Sequence, residues 1–149
     1  MSLIIPDKDV LLSISGTHTP WGEEPEVVEL TTAGKLITLA NGFDVIYEES
    51  ELTGLDGTRT TVKLDGKNVT MIRTGTYPSE MLFSENQRHV GLYHTVGGAM
   101  TISTHTSKVD NRIGEEGGSL VIDYSIEIDN NFAGEHHFEM TVATSPMEC

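Results

Sequence analysis

Hydrophobic and polar residues alternate most regularly towards the end of the chain. Leu120, Ile122, Tyr124, Ile126 and Ile128 occupy every second position, and mostly polar residues stand between them. Because successive side chains of a β-strand point to opposite faces, this pattern predicts a strand with one buried face. We expect these five side chains to point towards the core.

Shorter runs of the same kind recur along the rest of the chain, and turn-forming residues separate them. Gly, Asn-Gly and Asp-Gly sequences accept the backbone angles that tight turns require. The predicted strands cover residues 9–19, 26–32, 35–39, 43–53, 58–64, 68–74, 80–84, 88–95, 100–107 and 120–129, followed by one last strand. Ala33-Gly34 is predicted to form a turn, and residues 108–118 a long loop. The last strand places Phe138, Met140 and Val142 on one face.

No stretch shows a helical period, and many short strands with close turns are typical of an all-β domain. The short connections favour an antiparallel up-and-down meander, which removes its exposed edges by closing into a barrel. We expect residues 1–149 to form a single domain, because this length is sufficient for one core. Residues 1–3 (Met-Ser-Leu) resemble a cloning remnant and receive no structural interpretation.

The stretch FDVIYEESELTGLDGTRTTVKL, residues 43–64, is typical of a hairpin whose loop is Gly-Leu-Asp-Gly. This loop pairs Glu49 with Val62, on the same face as Tyr47, and that face is otherwise apolar. Glu51 belongs to the same face by alternation. Two carboxylates are therefore expected on the core side of the sheet, where a charge requires a partner.

Arg73 is the candidate partner for these carboxylates. The strand that carries it folds back on its predecessor, and two loop lengths are compatible with the turn. They place Arg73 opposite Thr58 or opposite Thr60, and both leave it on the inner face. Since a guanidinium can bind a carboxylate through two parallel hydrogen bonds, we expect Arg73 to meet Glu49 or Glu51 inside the barrel.

Two interpretations of this group remain open from the sequence. The ion pair could serve the structure alone, either in the core or at the hydrated end of the barrel. Alternatively, Arg73 anchors an anionic ligand while a neighbouring glutamate recognises it or transfers a proton. The predicted ligand-binding residues are Arg73, Glu49, Glu51, Tyr47 and Tyr124, and no catalytic residue is assigned.

Composition narrows the classes of partner. The formal net charge is -14, from 23 acidic and 9 basic residues. Such a surface repels phosphate, which disfavours nucleic acids and anionic membranes as partners. Cys149 is the only cysteine, so no disulfide can form within the chain. With no leader-like or membrane-spanning segment in this sequence, we expect a cytoplasmic protein of undetermined oligomeric state.

Metal and cofactor motifs are not found in the sequence. The adjacent His136 and His137 point to opposite faces of a strand and cannot bind one metal together. The other histidines lack the spacing of a zinc site, so we expect all of them on the surface. No phosphate-binding loop, dinucleotide fingerprint or G-x-S-x-G nucleophile motif is present. We therefore predict neither a cofactor nor a metal.

Several segments of the chain resemble the YwiB-like family of small bacterial proteins, a domain of unknown function. The likeness rests on Ile-Ser-Gly at 14–16, VELTTAGKL at 28–36, YEESELTGLDGTRTT at 47–61, VTMIRTG at 69–75 and LVIDYSIEID at 120–129. The resemblance implies a single calycin-like β-barrel, similar in shape to lipocalins and fatty-acid-binding proteins. It implies no established activity and no assigned residues, and fold alone does not determine a function.

Three functions are compatible with these observations. The favoured one is a non-enzymatic module that binds a small amphipathic or anionic ligand in the barrel. The second is a lyase or isomerase without a cofactor, with Arg73 as anchor and Glu49 or Tyr47 as acid or base. The third is an acidic protein-interaction module with a filled core. A lumenal cavity would separate the first two from the third.

Overall fold

The structure, a computed structural model, describes residues 7–20, 22–51, 55–76, 78–95 and 98–144, with the backbone alone over 92–95. Ten β-strands follow one another: β1 (Lys8–Pro20), β2 (Glu26–Leu39), β3 (Gly42–Glu48), β4 (Thr58–Asp65), β5 (Asn68–Gly75), β6 (Ser79–Phe83), β7 (Gln87–Thr95), β8 (Gly98–Asn111), β9 (Gly117–Ile128) and β10 (Asn131–Thr144). The prediction of an all-β fold is confirmed. The first three residues and Cys149 lie outside the described part of the chain.

The strands form an antiparallel meander that is nearly closed into a barrel. Their order in the sheet is β6-β5-β4-β3-β2-β1-β10-β9-β8-β7, so the first strand pairs with the last. Between β6 and β7 the described residues form no ladder. Near this gap, the Thr104 hydroxyl of β8 donates to the carbonyl of Leu82 in β6 at 3.4 Å. The predicted calycin-like barrel is thus confirmed, with its seam between β6 and β7.

The predicted turn at Ala33-Gly34 is wrong, because β2 runs unbroken through it. Gly34 lies opposite Tyr47 in the β2–β3 ladder. A Cβ atom at Gly34 would come within 2.7 Å of the Ile46 carbonyl oxygen and 2.8 Å of Leu12 Cδ1. The glycine therefore permits a close approach between strands and does not form a turn.

The predicted loop over residues 108–118 is wrong over its first part, because β8 continues to Asn111. A bulge in the β8–β9 ladder between Thr106 and Lys108 changes which residues point inward. After the bulge, Val109 lies opposite Ile122 and its side chain is buried. The alternation of the sequence is interrupted here, although the strand is not.

The predicted register of the β3–β4 hairpin is wrong by four residues. Tyr47 pairs with Thr60, whereas the predicted loop would have placed Glu51 there. β3 ends at Glu48, so the connection to β4 is longer than the four-residue loop predicted; residues 52–54 lie outside the described chain. A shift of four, which is an even number, keeps every side chain on its face, and Glu49 remains buried on the inner side.

One half of the barrel is filled by apolar side chains. The predicted inward row of β9 is confirmed at Leu120 and Ile122, which are fully buried, and Tyr124 and Ile126 pack against the same core. We call the other end the mouth: there the odd-numbered strands end and the even-numbered strands begin. No helix among the described residues is long and apolar enough to cross a membrane.

Candidate functional site

A cavity of about 370 Å3 occupies the lumen towards the mouth. Its volume lies within the range of small-molecule sites, which are typically concave and mostly apolar. The apolar part of its wall comes from five strands and one loop and comprises Ile14, Val28, Leu30, Leu55, Met81, Ile126 and Phe138. Its titratable side chains include those of Tyr47, Glu49, Arg73, Tyr124, His18 and His136.

Glu49 is fixed at the point where β3 ends. Its backbone amide donates to the carbonyl of Thr58 at 2.8 Å, which holds its side chain on the inner face. Only 2% of that side chain is exposed. The hydroxyl of Thr60, which is fully buried, donates a hydrogen bond to Glu49 Oε2. The carboxylate is therefore buried in the wall but supplied with a donor, as a buried charge requires.

Arg73 lies across β4 from this carboxylate. It pairs with Thr60 in the β4–β5 ladder, which is the second of the two registers left open by the sequence. Arg73 Nε is 3.7 Å from Glu49 Oε2, too far for a hydrogen bond, so this contact is not the two-point contact expected from the sequence. Nε is buried and donates to no described residue, while 20% of the side chain remains exposed.

Tyr47 joins the same group, because it is the partner of Thr60 in the β3–β4 ladder. Burial raises the pKa of the Tyr47 phenol, the negative charge of Glu49 raises it further, and the positive charge of Arg73 opposes both. The phenol therefore stays protonated at neutral pH. Tyr47 can donate a hydrogen bond but cannot act as a base.

The opposite wall carries a row of stacked rings. His18, His136 and Tyr124 are register partners on β1, β10 and β9. The two imidazole centroids are 4.3 Å apart with an interplanar angle of 12°, and the His136–Tyr124 centroids are 5.0 Å apart at 7°. Phe83 contacts Tyr124 with a centroid distance of 4.6 Å and a tilt of 53°. These spacings match those of neighbouring strands, so the rings stack side by side along the wall.

Burial lowers the pKa of His136 to about 4, and the nearby His18 contributes in the same direction. At neutral pH the imidazole of His136 is therefore uncharged. His137, on the outer face, behaves in the opposite way: its hydrogen bonds with Asp123 and Glu139 raise its pKa. One ring nitrogen contacts Asp123, and the other lies 2.8 Å from Glu139 Oε2.

The structure brings together four of the five predicted ligand-binding residues. Tyr47, Glu49, Arg73 and Tyr124 all line the lumenal cavity. Glu51 does not, because β3 ends before it and its side chain is exposed. Alternation cannot be extended beyond the end of a strand, and this explains the wrong assignment of Glu51 to the inner face.

The expected surface position of the histidines is wrong for His18 and His136, which are half-buried in the cavity wall. Phe138, Met140 and Val142 occupy every second position of the last strand, and the next such position towards its start is His136. This alternation could have indicated that His136 points inward. No group of three or more His, Cys, Asp or Glu side chains in the described part of the chain is placed to hold a metal ion.

The chain resembles the YwiB protein from Bacillus subtilis, with a TM-score of 0.83, 20% sequence identity and coverage of 93% of each chain. At this identity, the similarity shows the fold alone. No curated protein sequence matches the chain. The profile of the domain of unknown function DUF1934 matches residues 12–140, and the chain therefore belongs to this YwiB-like family.

Proposed function

We propose that the barrel binds a small amphipathic anion in its lumen, with Arg73 holding the anionic group. The observation that carries this proposal is the buried Nε of Arg73, which lacks a hydrogen-bond acceptor among the described residues. Arg73 also lines the cavity. Buried donors are usually satisfied, and a charged donor without an acceptor is costly. A ligand carboxylate at the exposed fifth of the Arg73 side chain would supply an acceptor for the guanidinium.

The shape and chemistry of the wall define the rest of the ligand. Apolar side chains such as Ile14, Leu30 and Phe138 surround the cavity, and they favour a hydrocarbon or aromatic body. The stacked row of His18, His136 and Tyr124 adds polar ring edges to one wall. A ligand with one anionic end and an apolar body therefore matches this lumen.

The two alternative functions are less well supported. A filled core does not agree with a cavity of about 370 Å3. A lyase or isomerase requires a base in the lumen, and the raised pKa of Tyr47 leaves its phenol protonated. Glu49 already accepts a hydrogen bond from Thr60 and faces Arg73, an arrangement that fixes the carboxylate in the wall.

The test is calorimetric titration of para-ethylphenylpropanoate into the parent protein and two arginine variants. Arg73→Gln removes the lumenal cation, and Arg59→Gln is the matched control. Arg59 carries the same charge on the neighbouring strand but lies outside, where its Nε is 2.7 Å from Glu48 Oε2. We expect Arg73→Gln to weaken binding by at least tenfold, because a charge-assisted hydrogen bond contributes about 1.5–3 kcal/mol.

Glu49→Gln provides a second variant with the opposite expected result. This change removes the carboxylate that competes with the ligand for Arg73, and binding of the anion should become several-fold tighter. If Arg73→Gln and Arg59→Gln bind the anion equally well, Arg73 does not hold the ligand. If the parent protein binds no para-ethylphenylpropanoate at millimolar concentration, the proposed lumenal function is refuted for aryl carboxylates.

A further inference from the structure

The mouth of the barrel is surrounded by carboxylates. They lie on three parts of the chain that meet at this end: the β1–β2 connection with the first residues of β2, the β3–β4 connection, and the β9–β10 turn with the first residues of β10. All are exposed, and we name them the acidic rim: Glu23, Glu24, Glu26, Glu29, Glu51, Asp56, Asp129 and Glu135.

The acidic rim lies next to the lumenal cavity at several points. Asp56 follows Leu55, which lines the cavity, whereas Glu29 and Glu135 are next to the cavity residues Val28 and His136 within their strands and therefore point to the outer face. Glu26 is the register partner of His18, another cavity residue. The opening of the cavity therefore has carboxylates on the side of β2 and on the side of the β3–β4 connection.

Positive charge at the mouth is scarce. The sequence of residues 18–31, 48–60 and 126–136 contains a single Lys or Arg, which is Arg59. Its ion pair with Glu48 already occupies it on the outer face. The cation that faces the ligand is Arg73, within the lumen. The rim alone would indicate only a soluble surface, but the buried Arg73 Nε without an acceptor is an independent sign of an anionic group inside.

We propose that the ligand is a zwitterion, with a carboxylate at Arg73, an apolar spacer along the wall and an ammonium group at the acidic rim. This inference rests on the proposed lumenal function and specifies its ligand class. A simple anion experiences repulsion from the rim as it enters and after it is bound. A terminal ammonium converts that repulsion into attraction, whereas the inner carboxylate still satisfies Arg73.

The experiment compares two ligands that differ in one terminal group. Para-ethylphenylpropanoate ends in a methyl group, and para-(aminomethyl)phenylpropanoate carries an ammonium in its place. Both are titrated at neutral pH at low salt and at high salt. Rim charges at roughly 10 Å contribute about a twofold factor each at low ionic strength, so we expect the ammonium ligand to bind at least fivefold more tightly. High salt should remove this preference.

Two triple variants test whether the preference for the ammonium ligand depends on the acidic rim. Glu26→Gln, Glu51→Gln and Asp56→Asn together remove three rim charges, and they should reduce the preference for the ammonium ligand by about fivefold. The matched control removes three exposed acids elsewhere on the barrel, through Asp7→Asn, Asp65→Asn and Glu115→Gln. That control should retain the preference of the parent protein.

The outcomes separate this inference from the function on which it rests. Suppose that para-ethylphenylpropanoate binds through Arg73 and that the ammonium ligand binds equally or more weakly. The proposal of a zwitterionic ligand is then wrong, whereas the proposed anion-binding function stands. An equal loss of preference in both triple variants would also overturn a role of the rim. If neither ligand binds the parent protein, both the inference and the proposed function are refuted for this class of compound.

Discussion

The ion pair between Arg73 and Glu49 allows a quantitative test of the lumenal wall. Replacing Arg73 with Leu keeps most of the hydrocarbon volume but leaves the Glu49 carboxylate without its countercharge. The two charges are 3.7 Å apart, and only 2% of the Glu49 side chain is exposed. At an effective dielectric constant of about 20, unit charges at this separation attract each other by about 4–5 kcal/mol.

Not all of this attraction should be lost from the stability. The Thr60 hydroxyl continues to donate to Glu49 in the variant, and the exposed fifth of the Arg73 side chain shows that water reaches this wall. We therefore expect Arg73→Leu to lower the free energy of unfolding by about 3 kcal/mol, in line with other broken buried pairs. For a domain of this size the melting temperature should fall by roughly 6–12 °C.

The assay is a double-mutant cycle measured by urea unfolding at neutral pH. The cycle comprises Arg73→Leu, Glu49→Gln and the two changes together, and the double variant should recover most of the loss because no buried charge remains. Arg59→Leu is the matched control, since both partners in its pair with Glu48 are more than 60% exposed. Its cost should stay below about 1 kcal/mol. An Arg73→Leu variant that unfolds at the midpoint of the parent protein would refute the buried pair.

Two further predictions concern single positions. Gly34→Ala should cost about 2 kcal/mol or more in unfolding free energy, because the new Cβ meets a fixed backbone oxygen at 2.7 Å; Gly16→Ala, where nothing lies within 4 Å, should be close to neutral. The pKa of His136 is lowered to about 4 in the fold, so the unfolded chain takes up the proton first and stability falls as pH drops from about 6.5 towards 4. After allowance for partial solvent screening, this loss should be about 1–2 kcal/mol, and His136→Phe should abolish it in unfolding experiments across that range.

The sequence predicts which side chains face inward better than it predicts their partners across the sheet. Glu49, Tyr47 and Arg73 were correctly placed on the inner face because alternation has a period of two residues. A register shift by an even number, here four residues, leaves this pattern unchanged, so alternation could not reveal that Tyr47, and not Glu51, pairs with Thr60. The length of the connection decides the register, and that length depends on where β3 ends.

Other features depend on neighbours that are distant in the sequence. Gly34 has the local signature of a turn, and its reason for being glycine is visible only in the positions of Ile46 and Leu12. The bulge between Thr106 and Lys108 has no distinctive composition, although it determines that Val109 points inward. The stacking of His18 on His136 likewise requires the β1–β10 ladder, which joins the two ends of the chain.

The cavity arises because the neighbouring strands β2 and β3 differ in length. β2 begins at Glu26 but pairs with β3 only from Gly34 to Leu39, because β3 is half as long. The first part of β2 therefore has β1 on one side and, among the described residues, no ladder partner on the other. Inner side chains along β2 become exposed in that direction, from Leu30 at 7% to Val28 at 44%. The wall thus opens beside the β3–β4 connection, next to Glu49, so a ligand could reach Arg73 without any disruption of the filled half of the barrel.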